Sequence, residues 1–406
     1  MIQDALHNAS ARLTDWLDSK ALPVWWEIGA DKAVGGFFEA IAQDGTACRI
    51  DRRARVQPRQ IYCYAAAGHQ GWNGPWEEAV GHGLRFFDET YLLEDGLYGA
   101  VASSSGTLTD RSFDLYNQAF ALFALAQAAK SFPENAEAYG IRAATLLGRL
   151  KDRFAHPFAG FEEQVPRVLP LCSNPHMHLF EAALAWHELG GVQAYAFGKL
   201  ADEIAELCLG KFIDPATGAL REFFDGDWEQ FAEDKGRTVE PGHQFEWAWL
   251  LVRWGTLRGR DDALLKARRL FDIAETYGIC ATRKVAIMAL NDDFTVRDGV
   301  ARLWPQTEWI KAAIALASVS SGAEQERYLA STLAACQALE LFLNTPVPGL
   351  WRDKMKTDGS FIDEPAPASS FYHILCSIYE LSDRIERLSE NEPAFETLQP
   401  LKRKLA

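Results

Sequence analysis

A repeat constrains this chain more than any other feature. Apolar residues at spacings of three and four predict helices over 2–20, 57–71, 74–91, 112–130, 133–154, 175–189, 192–211, 242–259, 262–278, 305–320, 323–343 and 368–388. In the fourth, Phe120, Leu122, Phe123, Leu125 and Ala126 show the pattern. The segments form tight pairs whose members are separated by only a few residues, as in antiparallel helical hairpins. Long connections divide the pairs, and they resemble one another. They carry Gly36-Phe37-Phe38-Glu39, Gly96-Leu97-Tyr98, Gly160-Phe161-Glu162, Gly218-Ala219-Leu220-Arg221-Glu222-Phe223 and Gly349-Leu350-Trp351-Arg352. Several then turn at Asp-Gly, as at Asp44-Gly45, Asp225-Gly226 and Asp358-Gly359, which predicts short β-hairpins. The period is about 60 residues. An open array needs polar caps at its ends, and neither end supplies one. The expectation is an all-α toroid of six helical hairpins, one domain over residues 1–406, with short β-hairpin loops on the active-site face.

Pro58, Pro175, Pro241, Pro305 and Pro367 lie at or near the start of the first helix after a long connection, where a missing N–H costs nothing. Asn174 is expected to cap the helix at Pro175. These helices therefore begin on one face of the ring, and the unusual polar residues collect there. In order they are Arg55-Val56-Gln57-Pro58-Arg59-Gln60, Phe113-Asp114-Leu115-Tyr116-Asn117 and Asn174-Pro175-His176-Met177-His178-Leu179-Phe180-Glu181. The remaining three are Glu240-Pro241-Gly242-His243-Gln244-Phe245-Glu246-Trp247, Trp304-Pro305-Gln306-Thr307-Glu308 and Ser369-Ser370-Phe371-Tyr372-His373. Positively polarised helix ends converging on one funnel suit a hydroxyl-rich or transiently anionic ligand.

A formal charge of −15 excludes nucleic acid as a partner, since phosphate backbones need a basic face. No apolar run reaches the length of a membrane span, and no leader pattern opens the chain. Seven scattered cysteines without a Cys-x-x-Cys pair suggest reduced thiols in a cytoplasmic protein. Gly-rich phosphate loops and nucleophile elbows are missing.

Histidine is the natural acid/base near neutral pH. His7, His69, His82, His156 and His187 fall on outer helices or loops, where a structural role is expected. His178, His243 and His373 share a position in the repeat, which favours chemistry. Glu181 and Glu246 follow His178 and His243 by three residues, so each could orient its histidine from one helix face. His176 and His178 mimic a metal-binding pair, but residues two apart on a helix point to nearly opposite sides. No metal or other cofactor is expected.

These motifs resemble the N-acylglucosamine 2-epimerase family, with its mannose isomerases and cellobiose 2-epimerases. The resemblance covers nearly the whole chain. It implies an (α/α)6 barrel without an essential metal and with two acid/base histidines, His243 and His373 by motif. Around a small sugar substrate it implies Arg59, Tyr116, Asn174, His178, Glu246, Trp304, Gln306 and Glu308. The implied reaction removes the C2 proton of an open aldose to give an enediol. Return of the proton to C1 yields a ketose, and return to the other face of C2 yields the epimer. The mannose-type isomerase is preferred and the 2-epimerase is the alternative. Which histidine acts first does not follow from sequence. A phosphorylated or sulfonated sugar would need a second basic group, for which Arg55, Arg111, Lys235, Arg237 and Arg302 are candidates. Two rivals are a glycoside hydrolase using carboxylates among Asp114, Glu240, Glu246 and Glu308, and a non-catalytic binding module. A homodimer is compatible with the sequence.

Overall fold

A computed structural model describes residues 2–390. Inner helices span Val56–His69, Leu115–Ser131, Ser173–Leu189, Pro241–Arg258, Leu303–Ser318 and Phe371–Glu390. Consecutive inner helices touch, and the last touches the first, so the ring closes. Five outer helices follow their inner partners: Trp76–Tyr91, Ala136–Phe154, Ala194–Leu207, Asp261–Gly278 and Gly322–Leu343. The sixth outer position belongs to the other end of the chain. Ile2–Trp16 runs through a π-helical turn at Leu17–Ala21 into Leu22–Glu27, and its first stretch packs on the fifth outer helix and the last inner one. Only five of the six expected hairpins are therefore continuous in sequence.

The two layers differ in how their apolar residues are arranged. Trp76–Tyr91 buries Ala79, Val80, Gly83, Phe86, Phe87 and Tyr91, one stripe of an amphipathic helix. Leu303–Ser318 buries every residue from 303 to 317, as a helix enclosed on all sides must. The core lies between the layers and continues down the ring axis.

The connections form a collar of two- and three-residue antiparallel ladders on one face. Arg52–Arg53 pairs with Val101–Ala102, Leu171–Cys172 with Phe223–Phe224, Thr238–Val239 with Ala289–Asn291, and Ala301–Arg302 with Lys354–Met355. Ala40–Ile41 pairs with Ala366–Pro367, joining the two ends of the chain at the collar. The repeated glycines have a common cause. Gly36, Gly96, Gly160, Gly218 and Gly349 all adopt positive φ, which a side chain opposes. The fifth connection lacks the glycine motif, and Lys284 takes φ 58° there. All seven cysteines are free. Among the described residues no helix is long and apolar enough to cross a membrane.

Candidate functional site

The first turn of four inner helices carries one hydrogen-bond device. The Gln57 amide accepts from the N–H of Phe37 at 2.8 Å and donates to its carbonyl at 2.9 Å. Gln118 does the same to Tyr98, Gln244 to Leu220 and Gln306 to Ala286. Each glutamine ties its helix start to the connection that precedes it. Gln306 is wholly buried in this task, so it does not line the site as expected. In the third repeat His176 replaces glutamine. Its Nε2 accepts from the Phe161 N–H at 2.9 Å, and Nδ1 donates to the Cys172 carbonyl at 2.9 Å. A backbone N–H only donates, so the proton must sit on Nδ1. Burial lowers the pKa of this imidazole to about 4. His176 is a fixed neutral strut, in keeping with its exclusion from the chemistry.

Two residues further along, a turn of about 200° sends side chains the opposite way, into the ring. That position holds Arg59, Phe120, His178, Glu246, Glu308 and His373. Above them opens a cavity of about 260 Å³. Its walls include Arg59, Tyr116, Asn174, His178, His243, Glu246, Trp304 and His373, together with Arg53, Arg55, Glu240, Met288, Arg302, Ser369 and Ser370. Eight of the ten residues proposed from sequence thus meet in one space. Gln306 and Glu308 stand behind it. Asn174 does not cap its helix, which begins one residue earlier at Ser173; its Oδ1 is buried without a protein partner.

His243 and His373 both pack against Trp304, with ring centroids 5.0 and 5.9 Å from the indole. Each is held at Nδ1 by a carboxylate from another element. His243 meets Glu222 at 2.9 Å, and Glu222 also accepts from the Ser173 hydroxyl at 3.0 Å. His373 meets Glu308 at 2.8 Å, whose other oxygen lies 2.6 Å from Lys311 Nζ. Glu246, expected to orient His243 from one turn along, instead sits 3.8 Å from His178. Both of its oxygens are buried without a hydrogen-bond partner, so each can accept from a hydroxyl brought into the cavity. The other expected pair does form: His178 Nδ1 is 3.4 Å from Glu181, which accepts from Tyr372 Oη at 2.5 Å. Arg59 donates to the Ser369 carbonyl at 2.8 Å and to the Tyr116 hydroxyl, and lies 4.2 Å over Phe120.

These surroundings drive the two histidines apart. Burial disfavours charge on both. At His243 the carboxylates of Glu222 and Glu240 outweigh it and lift the pKa to about 10. At His373 burial is reinforced by Arg59 and Lys311, and the pKa falls well below 6.5. One imidazole is cationic and the other neutral at the same pH. Divergent protonation of neighbouring groups is what separates an acid from a base. Burial also pushes Glu240, 3.6 Å from His243 Nδ1, up to about 7, against the pull of His243.

Two triads bring potential metal ligands within 4.8 Å of one another: His178, Glu181 and Glu246, and Glu246, Glu308 and His373. In the second, the Lys311 ammonium already occupies one oxygen of Glu308. In the first, Glu181 is engaged by Tyr372.

Sequence reasoning missed Glu222 and Lys311. Glu222 lies two residues after Leu220, the residue clamped by Gln244. The same offset from the clamped Phe37 and Phe161 gives Glu39 and Glu163. The repeat thus carried a signal for an acidic collar position.

Residues 36–377 match the N-acylglucosamine 2-epimerase (GlcNAc 2-epimerase) family. The chain belongs to that family. A mannose-6-phosphate isomerase of Rhizobium meliloti (strain 1021) is 56% identical over 383 residues, 94% of this chain and 99% of the relative. The crystal structure of a D-mannose isomerase superposes with a TM-score of 0.82 at 20% identity, over 90% of this chain and 96% of the other. Cellobiose 2-epimerase from Spirochaeta thermophila gives 0.84 at 20% identity, over 96% and 99%. At such identities the likeness establishes the (α/α)6 barrel.

Proposed function

We propose that this family member is an aldose–ketose isomerase of the mannose type, using His373 as base and His243 as acid. The observation that carries the reading is the pair of buried imidazoles packed beside Trp304, whose surroundings drive their pKa values in opposite directions. Neutral His373 takes the proton from C2 of the open sugar, and the electron pair moves through C1–C2 to O1. Cationic His243 or the fixed Arg59 guanidinium meets the charge developing on oxygen. The enediol then loses a hydroxyl proton from O2 and regains a proton at C1, giving the ketose. His178 and the carboxylate of Glu246 bind hydroxyls. Trp304 offers a face for the apolar side of the sugar.

The alternative is 2-epimerisation, in which His243 delivers a proton to the opposite face of C2. It is favoured by two imidazoles lining one cavity beside the same indole. A hydrolase reading fares worse, because Glu308 is committed to Lys311 and His373. The test is incubation with mannose, glucose, N-acylmannosamine and cellobiose in deuterated water containing EDTA. Deuterium at C1 of fructose supports isomerisation, and deuterium at C2 of an epimer supports the alternative. No exchange with any sugar would sink both.

A phosphorylated substrate is a second reading, suggested by the name of the Rhizobium relative and by Arg53, Arg55 and Arg302 on the cavity wall. Each of these arginines already has a carboxylate, Glu39, Asp114 and Asp353 respectively, which favours the neutral sugar. Comparing kcat/KM for mannose and mannose 6-phosphate separates the two.

A further inference from the structure

Lys311 has no exposed surface and takes no part in lining the cavity. It lies one turn below Glu308 on the same inner helix, with Nζ 3.8 Å from the Trp249 ring centroid. Glu308 is shared between two partners through its two oxygens: Oε2 faces the ammonium at 2.6 Å and Oε1 faces His373 Nδ1 at 2.8 Å.

Other ionisable groups crowd this pair from each neighbouring inner helix. Glu246 approaches from Pro241–Arg258 and Glu181 from Ser173–Leu189. Tyr372, His373 and Cys376 come from Phe371–Glu390, and the Arg59 charge from Val56–His69 reaches His373. Burial and then Glu246 and Glu181 push the Glu308 pKa well above the ordinary carboxylate value, with Lys311 as the main opposing charge. What favours the ionised form is the 2.6 Å contact between Oε2 and the buried ammonium.

The outcome decides a tautomer. An ionised carboxylate can only accept, so the proton lies on Nδ1 of His373 and Nε2 keeps its lone pair. A neutral carboxyl can donate to Nδ1, which moves the imidazole proton to Nε2 and removes the base. We propose that Lys311 is a positioning residue: its buried ammonium holds Glu308 as a carboxylate, and Glu308 in turn holds His373 as the tautomer that accepts the substrate proton. This rests on reading His373 as the base.

The test uses the full chain with Lys311→Met, Glu308→Gln and the double variant, with mannose as substrate and circular dichroism as the folding control. Lys311→Met should lower kcat by about 10²-fold with KM little changed. The acid limb of its pH–rate profile should move alkaline by about one pH unit or more. Adding Lys311→Met to Glu308→Gln should cost almost nothing further, because both changes break one link. Additive losses, or a wild-type pH profile in Lys311→Met, would overturn the proposal. Should Lys311→Met fail to fold, two measurements remain. The double variant has no unpaired charge and is compared with Glu308→Gln alone. Long-range ¹H–¹⁵N spectra of the wild-type protein read the tautomer directly: Nδ1–H on His373 is expected, and Nε2–H overturns the proposal. His373→Ala is assayed alongside. Activity retained there refutes the catalytic reading itself, whereas an inactive His373→Ala beside a wild-type-like Lys311→Met refutes only the role of Lys311.

Discussion

Replacing Glu222 by glutamine tests the electrostatic contrast between the two histidines most directly. Glu222 Oε2 lies 2.9 Å from His243 Nδ1, and both side chains are buried. Burial alone would neutralise the imidazole, yet Glu222 and then Glu240 carry it from 6.5 to about 10. That interval is worth about 5 kcal/mol at ~1.4 kcal/mol per pH unit. A histidine raised in the folded state contributes its stability in full below pH 6.5 and loses it as pH climbs through about 10. The wild-type protein should therefore shed up to about 5 kcal/mol from this one group across that window. Glutamine keeps the shape and an acceptor but no charge. Glu240 remains at 3.6 Å, though its own pKa of about 7 leaves it partly protonated near neutrality. The variant should retain less than half of the effect, about 2 kcal/mol. Urea unfolding of both proteins at intervals from pH 6 to 10 measures the difference in slope. Glu240, whose pKa Glu222 also raises, shifts with it near pH 7, so the comparison is read above that pH. The alkaline limb of the pH–rate profile should move down in parallel. Wild-type and variant stabilities that run parallel between pH 6.5 and 10 would refute the assignment of His243 as a cation.

His243→Ala and His373→Ala should each reduce turnover by 10²-fold or more while leaving the helical circular dichroism intact; retained activity removes that residue from the mechanism. His176→Gln should fold and turn over normally, since glutamine fills the same position in four other repeats. His176→Ala leaves the Phe161 N–H unpaired and a void behind it, and should cost about 2–4 kcal/mol in urea unfolding. Arg59→Lys gives up the fork that spans Ser369 and Tyr116, and kcat should fall about 10²-fold with little change in Tm.

Much of the site could be read from the chain because the repeat is local. Arg59, His178, Glu246, Glu308 and His373 occupy one position of the inner-helix start, and helical periodicity alone aims them inward. Gln306, which the family resemblance implied for the site, sits two residues before that position and points the other way, into the clamp on Ala286. Spacing along the helix misled over Glu246. A partner one turn along the same helix is the simplest guess for an orienting carboxylate, but the collar supplies Glu222 at a shorter distance.

The sequence by itself determined the toroid and the face on which it gathers its polar residues, because those follow from spacing within single helices; His243 and His373 are singled out by the family resemblance. The tertiary structure alone decided three things. The sixth helical pair is built from the two ends of the chain, since closure of a ring depends on packing rather than on a connection. Carboxylates were matched to histidines across elements, Glu308 to His373 over 65 residues of chain. The protonation states then separated, because a pKa answers to burial and to charges brought close in space, and neither is written in the neighbouring residues.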